Sequence, residues 1–262
     1  MNEITPKNWN HLQEILYGDM FSESLNRYRS PFVFRGLSDN SYELATSLIR
    51  LGGEYKNLEK NLIRNFRKYA YKVEYENYTI WNWLSLAQHH GLPTRLLDWT
   101  FSPNVALHFA TAKLNKYSTD GIIWCVDFIK LMETLPNLFK ETLNKENANG
   151  FSIEMLNNVC LSLEEFDEHG RSFGDFMVFF DPPSLDARII NQYALFSIIS
   201  NPERKINEFL EDKLPFYKKI IIPASLKWEI RDKLDQANIT ERVLFPGLDG
   251  LSEWLKRWYS PR

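Results

Sequence analysis

Gln88-His89-His90-Gly91-Leu92-Pro93-Thr94-Arg95-Leu96-Leu97-Asp98-Trp99-Thr100-Phe101-Ser102-Pro103 runs on into Asn104–Ala110 and sets polar, charged and turn-forming residues between two helical patterns. Gly91, Pro93 and Pro103 punctuate the stretch. Trp81 to Gln88 predicts the helix that delivers it, and Ser102-Pro103 predicts the N-cap and first position of the helix that follows. Val105, Ala106, Phe109 and Ala110 give that second helix an apolar face with small residues, suited to close packing. A loop held between rigid elements can aim side chains into a cleft, which makes His89, Arg95, Asp98 and Thr100 candidate site residues.

Working outward, Phe32-Val33-Phe34 predicts a short buried strand that ends at Arg35-Gly36, a strand edge opening onto a site. From Asn57 to about Val73 the apolar residues recur at helical spacing, and the basic outer face (Lys60, Arg64, Arg67, Lys68, Lys72) reads as solvated. Gly121 to Val126 is the strongest buried strand of the chain, with Asp127 placed to cap the next helix. Phe176–Phe180, the second part of Ala187–Ile199, and Lys218–Ile222 predict further strands. Thr5-Pro6 predicts the start of an N-terminal helix, and Val243–Gly250 a strand and turn before a last helix, Leu251–Trp258. Between 130 and 175 the pattern is weak. Lys145–Gly150 reads as a surface loop and Glu164–His169 as an acidic, solvated excursion, so this region is expected to be a variable insertion.

The 262 residues suffice for one large domain with appendages, here a helical lead-in over 1–30 and a main domain over 31–262. A net charge of −3 argues against a broad nucleic-acid footprint and leaves room only for a local basic groove. Eight Trp, twelve Tyr and eighteen Phe read as core material rather than as a base-stacking platform. Cys125 and Cys160 lie far apart, without metal-ligand spacing, and Cys125 sits in an apolar run as a small buried hydrophobe. The N-terminus lacks a signal pattern and no apolar run approaches the roughly 20 residues of a membrane span, so a cytoplasmic protein with no membrane partner is expected. His89 and His90 with Asp98 would suit a metal-dependent nuclease, but no second carboxylate stands at fixed spacing and no metal is predicted.

Phe34-Arg35-Gly36 together with Gln88-His89-x-Gly91-x-Pro93-Thr94-Arg95-Leu96-Leu97-Asp98-Trp99-Thr100 resembles the FRG-domain family, named for that first triplet. Arg188-x-x-x-Gln192-x-x-x-Phe196 and Phe245-Pro246-x-Leu248-Asp249-Gly250 resemble its later blocks, so the resemblance runs roughly from Phe32 to Trp254. A second resemblance concerns the order of elements, which is similar to ADP-ribosyltransferase folds. In those, a strand ends in Arg-Gly, a later strand ends in a hydroxyl residue, a helix with an Ala-x-x-Phe-Ala face follows, and a last strand bears Glu or Gln. That resemblance implies an α+β fold: a compact, bent, mostly antiparallel sheet with surrounding helices and a cleft between its two halves. It also implies an NAD-binding or NAD-consuming enzyme with NAD as co-substrate, an acceptor that is protein or nucleic acid, and the toxin or antiphage roles associated with such families in bacteria.

Cleaving a nicotinamide–ribose bond develops positive charge on the ribose, as glycoside hydrolysis does. On the resemblance, Arg35 grips the diphosphate and Gly36 lets a ring amide approach the backbone. Thr100, or else Ser47, orients a ribose hydroxyl, and Gln192 stands where side-chain-modifying transferases carry a carboxylate. His89, Arg95, Asp98 and Arg188 would contact ribose, phosphate or acceptor. An amide cannot provide a carboxylate's charge, so a nucleobase-modifying or NAD-binding variant works with Gln, or Asp98 supplies the charge, or the site binds without reacting. Asp98 has a structural alternative, an ion pair with Arg95 or Arg35 that pins the loop. Of the two histidines, one is expected to face inward and the other to be solvated. The rival functional reading is a non-catalytic nucleic-acid or nucleotide-binding module that uses Arg35, Arg95 and the rings of Trp81, Trp83 and Trp99.

Overall fold

The computed structural model describes residues 3–70, 72, 75–183, 186–212 and 215–261. Among them are the strands β1 (Glu3–Ile4), β2 (Phe21–Ser22), β3 (Arg27–Tyr28), β4 (Phe32–Leu37), β5 (Leu97–Thr100), β6 (Gly121–Asp127), β7 (Met177–Phe180), β8 (Ala194–Ile199) and β9 (Tyr217–Ile222). Seven of these form one sheet in the order β1-β9-β6-β4-β5-β8-β7, and β2 and β3 form a small separate ladder. Every pairing in the large sheet is antiparallel except β1 with β9. The fold is therefore α+β with a mostly antiparallel sheet, as the sequence leads one to expect.

The sheet is nearly divided in two. β4 pairs with β6 at six consecutive positions, and β5 pairs with β8 at four, but β4 and β5 pair only at Phe34 and Thr100. Past that pair the strands diverge toward Arg35–Leu37 and Leu97–Trp99, leaving a split between the halves.

The helix Pro103–Thr111 lies against β4 and β6, capped as expected by Ser102, whose hydroxyl accepts from the Val105 N–H at 3.3 Å. Phe34, Ile123, Cys125 and Ile220 on the sheet meet Ala106, Leu107 and Ala110 on the helix in one buried cluster. A larger cluster wraps the rest of the sheet and includes Val33, Trp81, Trp99, Trp124 and Phe179. The helix Ile80–His89 opens with a capping box between Thr79 and Asn82 and anchors through the Trp81 indole N–H, which donates to the Cys160 carbonyl at 2.9 Å. It ends at Gly91, whose φ of +79° suits a residue without a Cβ. The neighbouring helix Tyr55–Ala70 matches the predicted basic helix, whose expected end at Val73 lies outside the described residues.

Three local expectations are corrected. The N-terminal helix is Trp9–Tyr17, capped by Asn8 rather than by Thr5-Pro6, with the Asn8 side chain accepting from the His11 N–H at 3.0 Å. Val243–Gly250 is not a strand: Glu241–Leu244 is a helical turn, and the last helix already starts at Leu248. Glu164–His169 is not a solvated excursion but part of the helix Leu163–Phe173, and the weakly patterned region 130–175 also carries the helices Asn137–Lys145 and Ile153–Val159. Their Phe139, Leu156 and Phe166 are fully buried in the larger cluster.

Candidate functional site

The split between β4 and β5 gathers the polar residues of the Gln88–Thr100 stretch. Side chains alternate across a sheet, and paired residues on antiparallel strands share a face. Thr100 pairs with Phe34, so Thr100 and Asp98 lie on the same face of the sheet as Phe34 and Arg35 lies on the other. The Arg35 guanidinium reaches through the gap: Nη1 donates to the Asp98 carbonyl at 2.5 Å and stands 3.9 Å from the Asp98 carboxylate. That carbonyl has no β4 partner, and the side chain stands in for the missing ladder N–H. Burial pulls the Arg35 pKa below its ordinary value, the Asp98 charge opposes this, and Arg50 pulls it further down. Its Nε atom is buried without a partner among the described residues.

The Asp98 carboxylate is half open to solvent, with 54 % of its side chain exposed. Its orientation is set by a relay. Gln88 Nε2 donates to Asp98 Oδ2 at 2.9 Å, and Gln88 Oε1 accepts from the Thr94 hydroxyl at 2.6 Å. The Thr94 backbone is held in turn by Ser47, whose hydroxyl accepts from the Thr94 N–H at 3.0 Å and lies 3.2 Å from the Thr94 carbonyl. Ser47 thus acts on the site through the loop. Gln88, quoted in the motif but given no role there, is the side chain that aims Asp98.

His89, next in the chain, binds Asp186 through Nε2 at 2.9 Å and lies edge-on to the exposed His90, so one histidine faces inward and one is solvated. Burial lowers the His89 pKa, Asp186 opposes it, and His90 and Arg188 add to the lowering. Asp186 also caps the short helix Ala187–Asn191 by accepting from the N–H groups of Arg188 and Ile189. His89 therefore ties the motif to the segment bearing Arg188, whose exposed guanidinium lies 5.1 Å from the Phe245 ring centre.

Other residues singled out by the sequence stand elsewhere or are already engaged. The Thr100 hydroxyl donates to the Gln192 carbonyl at 2.7 Å and accepts from the Ser102 N–H at 3.0 Å, closing the corner between β5 and the next helix. Gln192 ends a helix rather than lying on a strand, and its amide donates to the Leu244 carbonyl at 2.9 Å. Thr100 and Gln192 are thus neighbours, yet their polar ends are spent on each other's surroundings, and Arg35 is on the opposite face of the sheet.

Gly36 does not face an open approach. A Cβ there would lie 1.8 Å from the Ala106 carbonyl oxygen, so its missing side chain admits the Pro103–Thr111 helix instead. Arg95 pairs with neither Asp98 nor Arg35. It is buried between Glu59, at 2.8 and 2.9 Å from Nε, and Asp167, carboxylates whose pairing with it no local pattern announces. Trp81, Trp83 and Trp99 are no more than 3 % exposed and offer no stacking surface.

Among the described residues no group of three or more His, Cys, Asp or Glu is placed to hold a metal, and no helix is long and apolar enough to cross a membrane. Two large cavities lie away from the split. One, of about 680 Å³, separates the helices Tyr55–Ala70 and Leu163–Phe173; the other, of about 700 Å³, lies between the helices Pro103–Thr111 and Leu248–Trp258.

The family profile of the FRG domain matches residues 30–119. That span contains Arg35, Ser47, Gln88, His89, Asp98 and Thr100 and ends before Arg188 and Gln192. Neither the search of curated proteins nor that of solved structures returned a match.

Proposed function

We propose that this protein, which carries an FRG domain over residues 30–119, binds an NAD-type dinucleotide at the split and breaks its nicotinamide–ribose bond. The observation that carries the reading is the Arg35–Asp98 pair: a partly buried guanidinium, its side chain 20 % exposed, and a half-exposed carboxylate, 3.9 Å apart where the two halves of the sheet part. Arginine presents a planar fork to phosphate oxygens, and Arg35 Nε has no partner among the described residues. A carboxylate aimed at the ribose stabilises the positive charge that develops as the bond lengthens.

In this scheme Asp98 takes the electrostatic role, because the Gln192 amide is neutral and committed to Leu244. Gln88 is a positioning residue that fixes the Asp98 rotamer. The carbon–nitrogen bond breaks with its electron pair going to the nicotinamide ring, which leaves neutral. A lone pair of the acceptor, in protein or nucleic acid, forms the new bond to the ribose carbon, and the acceptor releases its proton to solvent. NAD consumption of this kind is in keeping with a toxin or antiphage role.

The test is incubation with NAD labelled separately on the nicotinamide and on the adenosine, in a mixed pool of protein and nucleic acid. Nicotinamide release that is lost in Asp98→Asn supports the reading. Absence of release, transfer and saturable NAD binding overturns it.

A further inference from the structure

The basic face of the Tyr55–Ala70 helix, which by sequence reads as solvated, forms one wall of the 680 Å³ cavity. Lys60, Arg64 and Arg67 stand on that wall, and Arg171 on the Leu163–Phe173 helix faces them from the other. Residues spaced by four and three on a helix share one side, which is why the three cations line the same cleft. With Arg95 below, the lining carries five cations against the carboxylates of Glu59, Glu164 and Asp167. The cavity is positive within a chain whose net charge is −3.

The cations are not equally available. Arg95 is consumed by its two buried carboxylates, and Arg67 lies 5.5 Å from the Trp83 ring centre. Lys60 bridges the walls to Glu164 at 3.3 Å, but both side chains are well exposed and such a pair is worth little. Arg64 carries no ion pair among the described residues, and Arg171 has only a 3.9 Å contact with the exposed Glu168. Two arginines from opposing walls therefore remain to bind an anion. Beneath them Ile63, Ile80 and Leu163 supply an apolar surface within the same cavity. A volume of about 680 Å³ falls in the range of roughly 300–1,000 Å³ usual for small-ligand sites.

We infer that this cleft binds a nucleotide, with its phosphate held between Arg64 and Arg171 and its base on Ile63, Ile80 and Leu163. Paired guanidinium forks match phosphate oxygens, and an apolar floor suits the flat face of a base better than it suits a hydrated carboxylate side chain. The same chemistry is met by a free nucleotide or by one unit of a single strand. The site is separate from the split and rests on nothing proposed there.

The test is fluorescence polarisation of the full chain with labelled adenosine monophosphate and with a short labelled single-stranded oligonucleotide, at low and high salt. Saturable, salt-sensitive binding is expected, weakened at least about tenfold in the double variant Arg64→Glu, Arg171→Glu. Asp98→Asn should leave it unchanged. Tighter binding of the mononucleotide identifies a free ligand, and tighter binding of the strand identifies nucleic acid. Failure of both probes at low salt, or wild-type binding by the double variant, overturns the inference. Both arginines lie at the surface, so an unchanged melting temperature checks the fold, and Arg64→Gln with Arg171→Gln repeats the test without reversing charge. Nicotinamide release, measured in parallel, reports on the split alone.

Discussion

Arg35 holds Asp98 twice: its guanidinium donates to the Asp98 carbonyl at 2.5 Å and stands 3.9 Å from the Asp98 carboxylate. In a continuous antiparallel ladder the Asp98 carbonyl would be served by backbone. Here β4 and β5 separate after Phe34 and Thr100, and a side chain completes the bond from across the gap. The contact thus has a structural part and a part that remains open to a ligand. The carbonyl bond fixes the arginine, while the carboxylate, more than half exposed, keeps capacity for another partner.

Asp98→Asn keeps the shape and removes the charge. If Asp98 stabilises the ribose in the transition state, nicotinamide release should fall about 100-fold or more with little change in NAD affinity. Gln88→Ala leaves the charge and removes its anchor, so a smaller loss of about tenfold is expected. Single-turnover release assays on both variants check this. Equal losses would assign Gln88 a direct role, and no loss in Asp98→Asn would remove Asp98 from the chemistry.

Gly36→Ala separates packing from ligand approach. The new Cβ would meet backbone, with the Ala106 carbonyl oxygen at 1.8 Å and the Ala110 nitrogen at 2.8 Å, and backbone within a helix cannot swing aside. The helix must shift, at a cost of about 3 kcal/mol or more. Urea unfolding should show that loss directly. An unchanged midpoint with weakened NAD binding would instead restore Gly36 as a ligand-facing residue.

The strands were legible because β4, β6 and β9 are apolar runs bounded by Gly, Pro or Asp, and the Ser102-Pro103 cap is a purely local signal. The helices between 130 and 175 were not. They are short and rich in polar residues, and helices of that length hold through tertiary packing, here of Phe139 and Phe166, which leaves a weak local pattern. Val243-Leu244-Phe245 shows the ambiguity of a brief apolar run, which fits a strand or a buried helical turn equally. At the site, Arg35 and Asp98 could be singled out by residue type and position. That Thr100 and Gln192 satisfy other groups depends on partners 92 and 52 residues away, and the Arg95 pairs span 36 and 72, distances no motif encodes.

Arg95 is expected to behave as a core residue. Arg95→Met would leave Glu59 and Asp167 buried together without their cation, and breaking such a pairing costs about 3–5 kcal/mol. The melting temperature should drop by roughly 6–20 °C, while nicotinamide release per folded molecule stays near wild type. Calorimetry and a folded-fraction-corrected assay decide it. A lost activity at unchanged stability would return Arg95 to the ligand.

His108 should make the protein acid-sensitive. It is buried, and Arg231 Nη1 lies 2.8 Å from its Nδ1; arginine can only donate, so Nδ1 accepts and the ring is neutral. Burial first, then the positive Arg231, with Arg257 adding and Glu241 opposing, brings its pKa down from 6.5 to about 3. The unfolded chain therefore binds a proton that the folded chain refuses between those values. The stability due to the neutral ring is complete above pH 6.5 and is lost as pH falls toward 3. From about pH 7 to about pH 5 this amounts to roughly 2 kcal/mol. His108→Gln, which keeps an acceptor for Arg231 and removes the titration, should lose that much less than wild type over the same interval, whatever its stability at neutral pH. Because His89 is retained in both proteins, its contribution cancels in the comparison. Urea midpoints that fall in parallel for the two proteins would show that His108 takes up its proton in the folded state.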